Sequence, residues 1–278
     1  MRLRSLLFVP GDRPERFEKA AGSGADAIIL DLEDSVSADR KSYARTAVAE
    51  YLAGPRPTPA LVRINPLTSK HVAPDIAAIL RTPPNGLVLP KAEGAACVAR
   101  LSQLLGGQRL PILPIATETP AAVFELGSYR QVRVELMGLT WGAEDLSAAV
   151  GSSSVREAGG DLTAPYQTVR SLALFAAHAA CVPAVETVFP DIDDLEGLQA
   201  HAHRARRDGF SGMLAIHPAQ IPAIHAAFRR TDEQLREARA IVAAFAGNPE
   251  AGTLRLNGRM IDRPHLLHAQ RILEQPDD

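Results

Sequence analysis

Eight short apolar runs, each closing on a charged or polar residue and separated from the next by a stretch of helical character, constrain this chain more than any other feature. They are Ser5–Val9, leading to Gly11-Asp12-Arg13; Ala27–Leu32, carrying Asp31 and leading to Glu33-Asp34; Ala60–Ile64, carrying Arg63 and leading to Asn65; and Gly86–Leu89, leading to Pro90-Lys91. Then come Ile112–Ala116, leading to Thr117-Glu118-Thr119; Glu135–Thr140, leading to Gly142-Ala143-Glu144-Asp145; Val182–Val188, leading to Phe189-Pro190-Asp191; and Gly212–Ile216, leading to His217. Strands that alternate with helices pair in parallel, because each helix carries the chain back across the sheet. Eight such units within 278 residues predict an α/β protein built on a closed (β/α)8 (TIM) barrel over residues 1–230. In that architecture the chemistry sits at the carboxyl ends of the strands, where these polar residues fall.

The helices carry their own punctuation. In the first, Asp12 is expected to cap, Pro14 to sit in the first turn, Phe17, Ala20 and Ala21 to face inward, and Gly22 to stop it. A second helix is expected over Ala38–Leu52, with Tyr43, Ala47 and Tyr51 on its inner face. Residues 151–161 are the longest irregular stretch; following the sixth strand, they belong to the active face, and they read either as a functional loop or as a plain connector. After the eighth strand, residues 231–278 read as a C-terminal helix–hairpin–helix extension, too small to hold much core of its own. It comprises an amphipathic helix over Asp232–Ala246, a hairpin across Thr253–Ile261 turning on Asn257-Gly258, and a last helix opened by Asp262-Arg263-Pro264 and running to about Glu274.

Several classes of function are disfavoured. Net charge is −2 and aromatics are 5%, so no nucleic-acid partner is expected. The apolar core of the N-terminus is only five residues long and is followed by Gly11-Asp12-Arg13, which reads as a strand rather than a signal peptide. No segment is long and apolar enough to span a membrane. Cys97 and Cys181 make no disulfide framework and are expected to be small buried hydrophobes in a reducing, cytoplasmic setting.

Glu118 and Asp145 follow neighbouring strands. Two carboxylates converging on one mouth repel unless a cation or a proton joins them, and Mg²⁺ suits such a pair, since it takes one or two carboxylates and keeps water or substrate for its other positions. Helix-capping is the competing reading of both residues, and position alone leaves the two open. Asp31, Glu33 and Asp34 add acid at the end of the second strand; one is expected to cap the next helix and the others to hydrogen-bond metal-bound water. Glu144 completes a set of six carboxyls, offset by the cation and by Arg63 and Lys91. Arg63, inside an apolar strand, needs an anionic partner, either Asp31 in an ion pair or a substrate carboxylate. The substrate reading is preferred, because the mouth otherwise lacks a fixed anion receptor; Lys91 reads similarly. His217 is given no catalytic role, and Trp141 is expected to pack.

Taken together, Phe8-Val9-Pro10-Gly11-Asp12-Arg13-Pro14-Glu15-Arg16-Phe17, Ile29-Leu30-Asp31-Leu32-Glu33-Asp34, Val62-Arg63-Ile64-Asn65-Pro66, Leu89-Pro90-Lys91, Gly142-Ala143-Glu144-Asp145-Leu146, Pro190-Asp191-Ile192-Asp193-Asp194 with Glu196, and Ile216-His217-Pro218-Ala219-Gln220-Ile221 resemble the citrate lyase β-subunit-like family, which includes malyl-CoA and citramalyl-CoA lyases. The resemblance runs from Ser5 to about Leu273. It implies an Mg²⁺-dependent barrel that cleaves or forms a carbon–carbon bond in a 3-hydroxyacyl thioester of the citryl-, malyl- or citramalyl-CoA type, yielding an acyl-CoA and a 2-oxo acid such as oxaloacetate, pyruvate or glyoxylate. It assigns the metal to Glu118 and Asp145 and the substrate carboxylate to Arg63; from the residues themselves, Lys91 and backbone N–H groups near Ala143–Asp145, Ala143 and Glu144 among them, are expected to help bind that carboxylate at a helix start. Met260-Ile261-Asp262 matches a motif whose aspartate acts in a neighbouring subunit's site, so the resemblance implies a homo-oligomer, a trimer in many relatives. Read from the sequence alone, Asp262 is a helix cap before Pro264. Glu118-Thr119-Pro120-Ala121-Ala122 departs from the Arg-Gly that many relatives carry after the metal glutamate, and the loop with Arg156 also varies. Three other readings stay open: a CoA-independent aldolase of 4-hydroxy-2-oxo acids, a carrier-dependent citrate lyase β subunit, and a non-catalytic barrel that binds organic acids.

Overall fold

The computed structural model describes residues 1–274, and the chain divides into two compact units, Met1–Phe228 and the residues from Arg229 onward. In the first, the strands β1 (Ser5–Pro10), β2 (Ala27–Asp31), β3 (Ala60–Arg63), β4 (Gly86–Leu89), β5 (Ile112–Pro114), β6 (Leu139–Thr140), β7 (Ala184–Glu186) and β8 (Gly212–Ala215) form one parallel sheet. Its order runs β5-β4-β3-β2-β1-β8-β7-β6, so β1 lies between β2 and β8. Parallel bridges Ile112–Leu136 and Ile115–Thr140 join the two ends of that order. The result is a (β/α)8 barrel, as the eight-run pattern predicts.

The surrounding helices are α1 (Phe17–Ala21), α2 (Lys41–Ala53), α3 (Val72–Ile79), α4 (Ala95–Leu104), α5 (Pro120–Glu125), α6 (Glu144–Val150), α7 (Ala164–Ala179), α8 (Leu195–Asp208) and α9 (Ile221–Phe228). Strand alternation sorts the apolar residues into two shells. Leu6, Ile29, Leu61, Val88, Leu113, Val185 and Leu214 point into the barrel. Their neighbours Leu7, Ile28, Leu30, Val62, Leu87 and Leu89 face outward and pack with the helices, including Val48, Ile76, Val98 and Ala177.

The second unit holds α10 (Asp232–Ala246), the antiparallel pair β9 (Thr253–Leu256) and β10 (Arg259–Asp262), and α11 (Arg263–Glu274). Asn257 and Gly258 both adopt positive φ, +49° and +80°, as a two-residue type I′ hairpin turn requires. Ala238, Ile241, Phe245, Ile261 and Ala269 bury one another, so the extension has a small core of its own. Its residues beyond 274 lie outside the described part of the chain.

Several local expectations are corrected. Asp12 caps no helix: it accepts from Arg40 Nε at 3.4 Å, and the turn Pro14–Arg16 that precedes α1 has no side-chain cap. Tyr43 is 47% exposed, because the inner face of α2 is made by Ala44, Ala47, Val48 and Leu52. None of Asp31, Glu33 and Asp34 caps α2, whose N-cap position is Arg40. Cys181 is exposed, at φ +56° just past the end of α7. Among the described residues, no helix is long and apolar enough to cross a membrane.

Candidate active site at the barrel mouth

The inward positions of each strand continue past the apolar plug to the carboxyl end, and there they become polar. In β2 the inward series is Ala27, Ile29, Asp31; in β3 it is Leu61, Arg63. The parallel register sets Asp31 beside Arg63 on the same face. Arg63 Nε and Nη2 each donate at 2.7 Å to the two carboxylate oxygens of Asp31, a bidentate fork, and Nη1 lies 3.1 Å from Glu33 Oε2. Asp31 also accepts the N–H groups of Glu33 at 2.8 Å and Ser35 at 3.1 Å. Burial pushes the Asp31 carboxyl up, but the hydrogen bonds and charge of Arg63 outweigh it and hold the group below its ordinary range. Arg63 thus has the ion-pair partner that sequence reasoning ranked second, and it also lines the mouth cavity, with its guanidinium 4.8 Å from the Phe8 ring centroid.

Lys91 follows β4 at φ +50°, a left-handed conformation uncommon for a lysine. This turn aims its backbone N–H at Glu118 Oε2, 2.5 Å away. Its ammonium lies 2.7 Å from Glu33 Oε1, 3.1 Å from Asp145 Oδ1 and 3.5 Å from Asp34 Oδ2. Lys91 is therefore a hub for carboxylates: burial opposes its charge, yet Glu33 and its neighbours raise its pKa. Asp34 is half exposed, and Glu144 faces solvent.

Glu118 is 4% exposed. Its carboxyl is pushed up to about 8, first by burial and then by the charges of Asp145 and Glu33, against the pull of the Lys91 N–H and ammonium. Burial likewise raises Glu33, with Arg63 and Lys91 opposing. Neither Glu118 nor Asp145 caps a helix. Thr119 caps α5 by accepting from the Ala122 N–H, and Asp145 lies in the first turn of α6, where Ala143 is the N-cap residue. Gly142 permits the approach of Glu118, since a Cβ there would stand 2.8 Å from Glu118 Cγ.

The cavity into which these groups open encloses about 320 Å³. Asp31, Arg63, Glu118, Gly142, Ala143, Glu144 and Asp145 line it. With Glu118 ionised, the carboxylates of Asp31, Glu33, Glu118 and Asp145 outnumber Arg63 and Lys91, the cations that contact them, and this deficit of positive charge helps hold the Glu118 carboxyl towards its neutral form when no metal is bound. That deficit, and a carboxylate forced towards its neutral form, fit a divalent cation. Among the described residues no set of three or more His, Cys, Asp or Glu side chains is placed to hold a metal. A carboxylate pair that leaves the remaining positions to water and substrate is the arrangement Mg²⁺ commonly uses.

Phe8, Ser35, Ile115, Trp141, Thr187, Val188 and Leu214 also line the cavity, and sequence reasoning assigned none of them to the site. The signal was available for some: Phe8, Ile115, Thr187 and Leu214 continue the inward alternation of their strands. A second cavity of about 370 Å³ shares Phe8, Pro10 and Ile216 with the first and is lined by Arg16 and Lys19. His217, also in its wall, accepts from the Ala219 N–H through Nδ1 at 3.2 Å.

In the second unit, Asp262 Oδ1 lies 2.5 Å from His265 Nδ1 and accepts the His265 N–H at 3.4 Å. The histidine bond holds the carboxyl below its ordinary value. This is the capping geometry read from the sequence.

Three comparisons bear on this site. The family model for HpcH/HpaI aldolase/citrate lyase matches residues 4–218. A citrate lyase subunit beta-like protein of Mycobacterium tuberculosis is 39% identical over 269 residues, covering 97% of this chain and 94% of the relative. The mitochondrial citramalyl-CoA lyase of Rattus norvegicus is 30% identical over 292 residues, covering 97% and 85%. Among solved structures, protein CitE from Mycobacterium tuberculosis in complex with magnesium, acetoacetate and coenzyme A superposes with a TM-score of 0.85 at 37% identity, covering 98% of this chain and 97% of that one.

Proposed function

Because the chain belongs to the HpcH/HpaI aldolase/citrate lyase family, we propose that it is a magnesium-dependent carbon–carbon lyase. It cleaves, or in reverse forms, a 3-hydroxyacyl thioester to give a 2-oxo acid and an acyl-CoA. The observation that carries this reading is the carboxylate-rich mouth, in which Glu118, buried and held towards its neutral form, and half-buried Asp145 share Lys91.

Glu118 and Asp145 hold the metal. When bound, magnesium supplies Lewis acidity and a template for the carboxylate and the adjacent oxygen of the acid. Lys91 fixes both ligands, through its N–H to Glu118 and its ammonium to Asp145. Arg63, clamped by Asp31 and Glu33, is held rigidly to meet the substrate carboxylate, and Ala143, Glu144 and Asp145 at the start of α6 line the same cavity, where their N–H groups would assist. Asp31 and Glu33 serve chiefly to keep Arg63 and Lys91 in place, and half-exposed Asp34, 3.5 Å from the Lys91 ammonium, would be free to hydrogen-bond water on the metal.

Cleavage breaks the bond between C2 and C3 of the thioester. The hydroxyl gives its proton to solvent water and becomes the carbonyl of the 2-oxo acid, while the electron pair of the broken bond passes to the thioester as an enolate. Asp262 of a neighbouring subunit, freed from its cap, delivers the proton to the enolate carbon. The adjoining cavity with Arg16 and Lys19 suits the phosphates of a CoA carrier, which favours a thioester over a free acid.

The test is incubation of the purified protein with malyl-CoA, citramalyl-CoA and citryl-CoA, with Mg²⁺ or with EDTA, while released 2-oxo acid is measured. Mg²⁺-dependent release from one of them is expected. Silence on all three by protein that binds Mg²⁺ sinks the thioester reading in favour of a free-acid aldolase or a carrier-dependent subunit.

A further inference from the structure

Beside the mouth lies a polar region that the proposed chemistry does not use. Trp141, in the cavity wall, donates from Nε1 to Glu186 Oε1 at 2.5 Å. Glu186 is fully buried at the end of β7, and since Val185 points into the barrel, Glu186 points outward among the helices. It also accepts Arg170 Nε at 2.6 Å and the Thr187 N–H at 2.9 Å, and Arg170 continues to Asp208 at 2.8 Å. The carboxylate is fully matched by these donors.

Next to this chain of bonds a separate cavity of about 320 Å³ opens between α7, α8 and the loop that follows α6. Arg156, Arg170, His201 and Arg204 line it together with Asp161 and Asp208. Two of these groups are buried without a hydrogen-bond partner among the described residues: Arg170 Nη2 and His201 Nε2. His201 is only 4% exposed, and its imidazole is kept neutral, with a pKa near 4, by burial and by the surrounding guanidinium groups. Arg156 has neutral partners, the Gly160 carbonyl at 2.8 Å and the Phe189 ring at 5.2 Å, and no carboxylate at ion-pair distance among the described residues. Arg204 is paired with Asp161, whose side chain is 58% exposed.

A guanidinium only donates, and a neutral imidazole has one nitrogen that donates. Arg170 Nη2 therefore calls for an acceptor oxygen and half-buried Arg156 for negative charge, while His201 Nε2, 3.9 Å from Glu186 Oε1, is either the donor or the acceptor nitrogen of its ring. An apolar occupant would leave Arg170 Nη2 unmatched and Arg156 without a counter-charge, whereas Arg170 and Arg204 already hold carboxylates of their own. We propose that the groove between α7 and α8 is a binding site for a small oxyanion, phosphate or short carboxylate, held by Arg156, Arg170 and Arg204 with His201 beneath, and distinct from the barrel mouth.

The chain contains a single tryptophan, Trp141, which is bonded to the same Glu186 that anchors Arg170, so its fluorescence reports on this region. The experiment titrates the full-length protein in EDTA with inorganic phosphate or with malonate, at ionic strength held constant with sodium chloride. Tryptophan fluorescence and calorimetry are read together. Without metal the mouth is net negative and does not compete for an anion. All titrations use an Arg16→Gln background, which disables the other cavity with basic residues; saturable binding of at least one probe is expected there, weakened tenfold or more when Arg156→Gln or Arg204→Gln is added. Phosphate binding without malonate binding assigns the site to phosphate compounds, and the converse to carboxylates. Absence of saturable binding in both readouts overturns the proposal, as does binding that survives both substitutions in variants whose Tm shows them folded.

Discussion

The residue that most shapes the mouth is Glu118. In the folded protein without metal its carboxyl ionises near pH 8, against an ordinary value of 4.5, because burial and the Asp145 and Glu33 charges disfavour the anion. The folded state therefore holds a proton that the unfolded state has released over that interval. The stability it contributes is fully present below about pH 4.5 and is lost as pH rises through about 8. Magnesium must displace the same proton, so its affinity should rise about tenfold per pH unit up to pH 8 and level off above it. Calorimetric titration with Mg²⁺ between pH 6 and 9 checks this. Glu118→Gln should remove the slope together with most of the binding, and an unchanged slope in that variant would take Glu118 out of the metal site. Asp31 behaves oppositely, since Arg63 keeps it charged, and it should add no pH dependence near neutrality.

At the scale of elements, strand periodicity carries the chemistry. Arg63 looks anomalous in an apolar run until the alternation is followed: Leu61 plugs the barrel and Arg63, two residues on, reaches its mouth. The turn from β6 into α6 is equally specific, because Gly142 leaves room for Glu118 while α6 delivers Asp145. Gly142→Ala would place a methyl 2.8 Å from Glu118 Cγ and push the carboxylate aside. Overpacking of this kind costs about 1–3 kcal/mol. Displacing a ligand by an ångström costs roughly a hundredfold in rate. We therefore expect kcat to fall about a hundredfold while Tm drops by only a few degrees; a variant with full activity would show that the turn does not set the ligand. The legibility of the elements follows the same logic. Long alternating and amphipathic stretches such as β1 and α10 are readable because burial repeats along them. The caps assigned to Asp12 and to Asp31, Glu33 or Asp34 were not, because Arg40, Arg63 and Lys91, distant in sequence, bind those carboxylates instead.

At the scale of the whole molecule, the proposed chemistry asks the extension of one subunit to serve the barrel of another. Asp262 sits in a capping bond with His265 within the second unit, whereas the proposed chemistry places it in a neighbour's mouth. Complementation tests that arrangement. Asp145→Asn and Asp262→Asn proteins should each be nearly inactive, and an oligomer assembled from both should regain about a quarter of wild-type activity, since some mouths then combine an intact metal site with an intact Asp262. A mixture as inactive as its components would confine Asp262 to the cap or to its own chain.

Sequence alone determined the barrel, the hairpin on Asn257-Gly258 and the set of polar residues at the strand ends, because all three follow from local periodicity and from turn residues tolerant of positive φ. Only the tertiary structure decided which charges meet. Whether Arg63 answers Asp31, whether Lys91 serves Glu118 and Asp145 together, and whether Arg156 and His201 share a groove all depend on strand register and burial. The strength of a charge interaction is set by distance and by the exclusion of water, and neither is written in the spacing of residues along a chain.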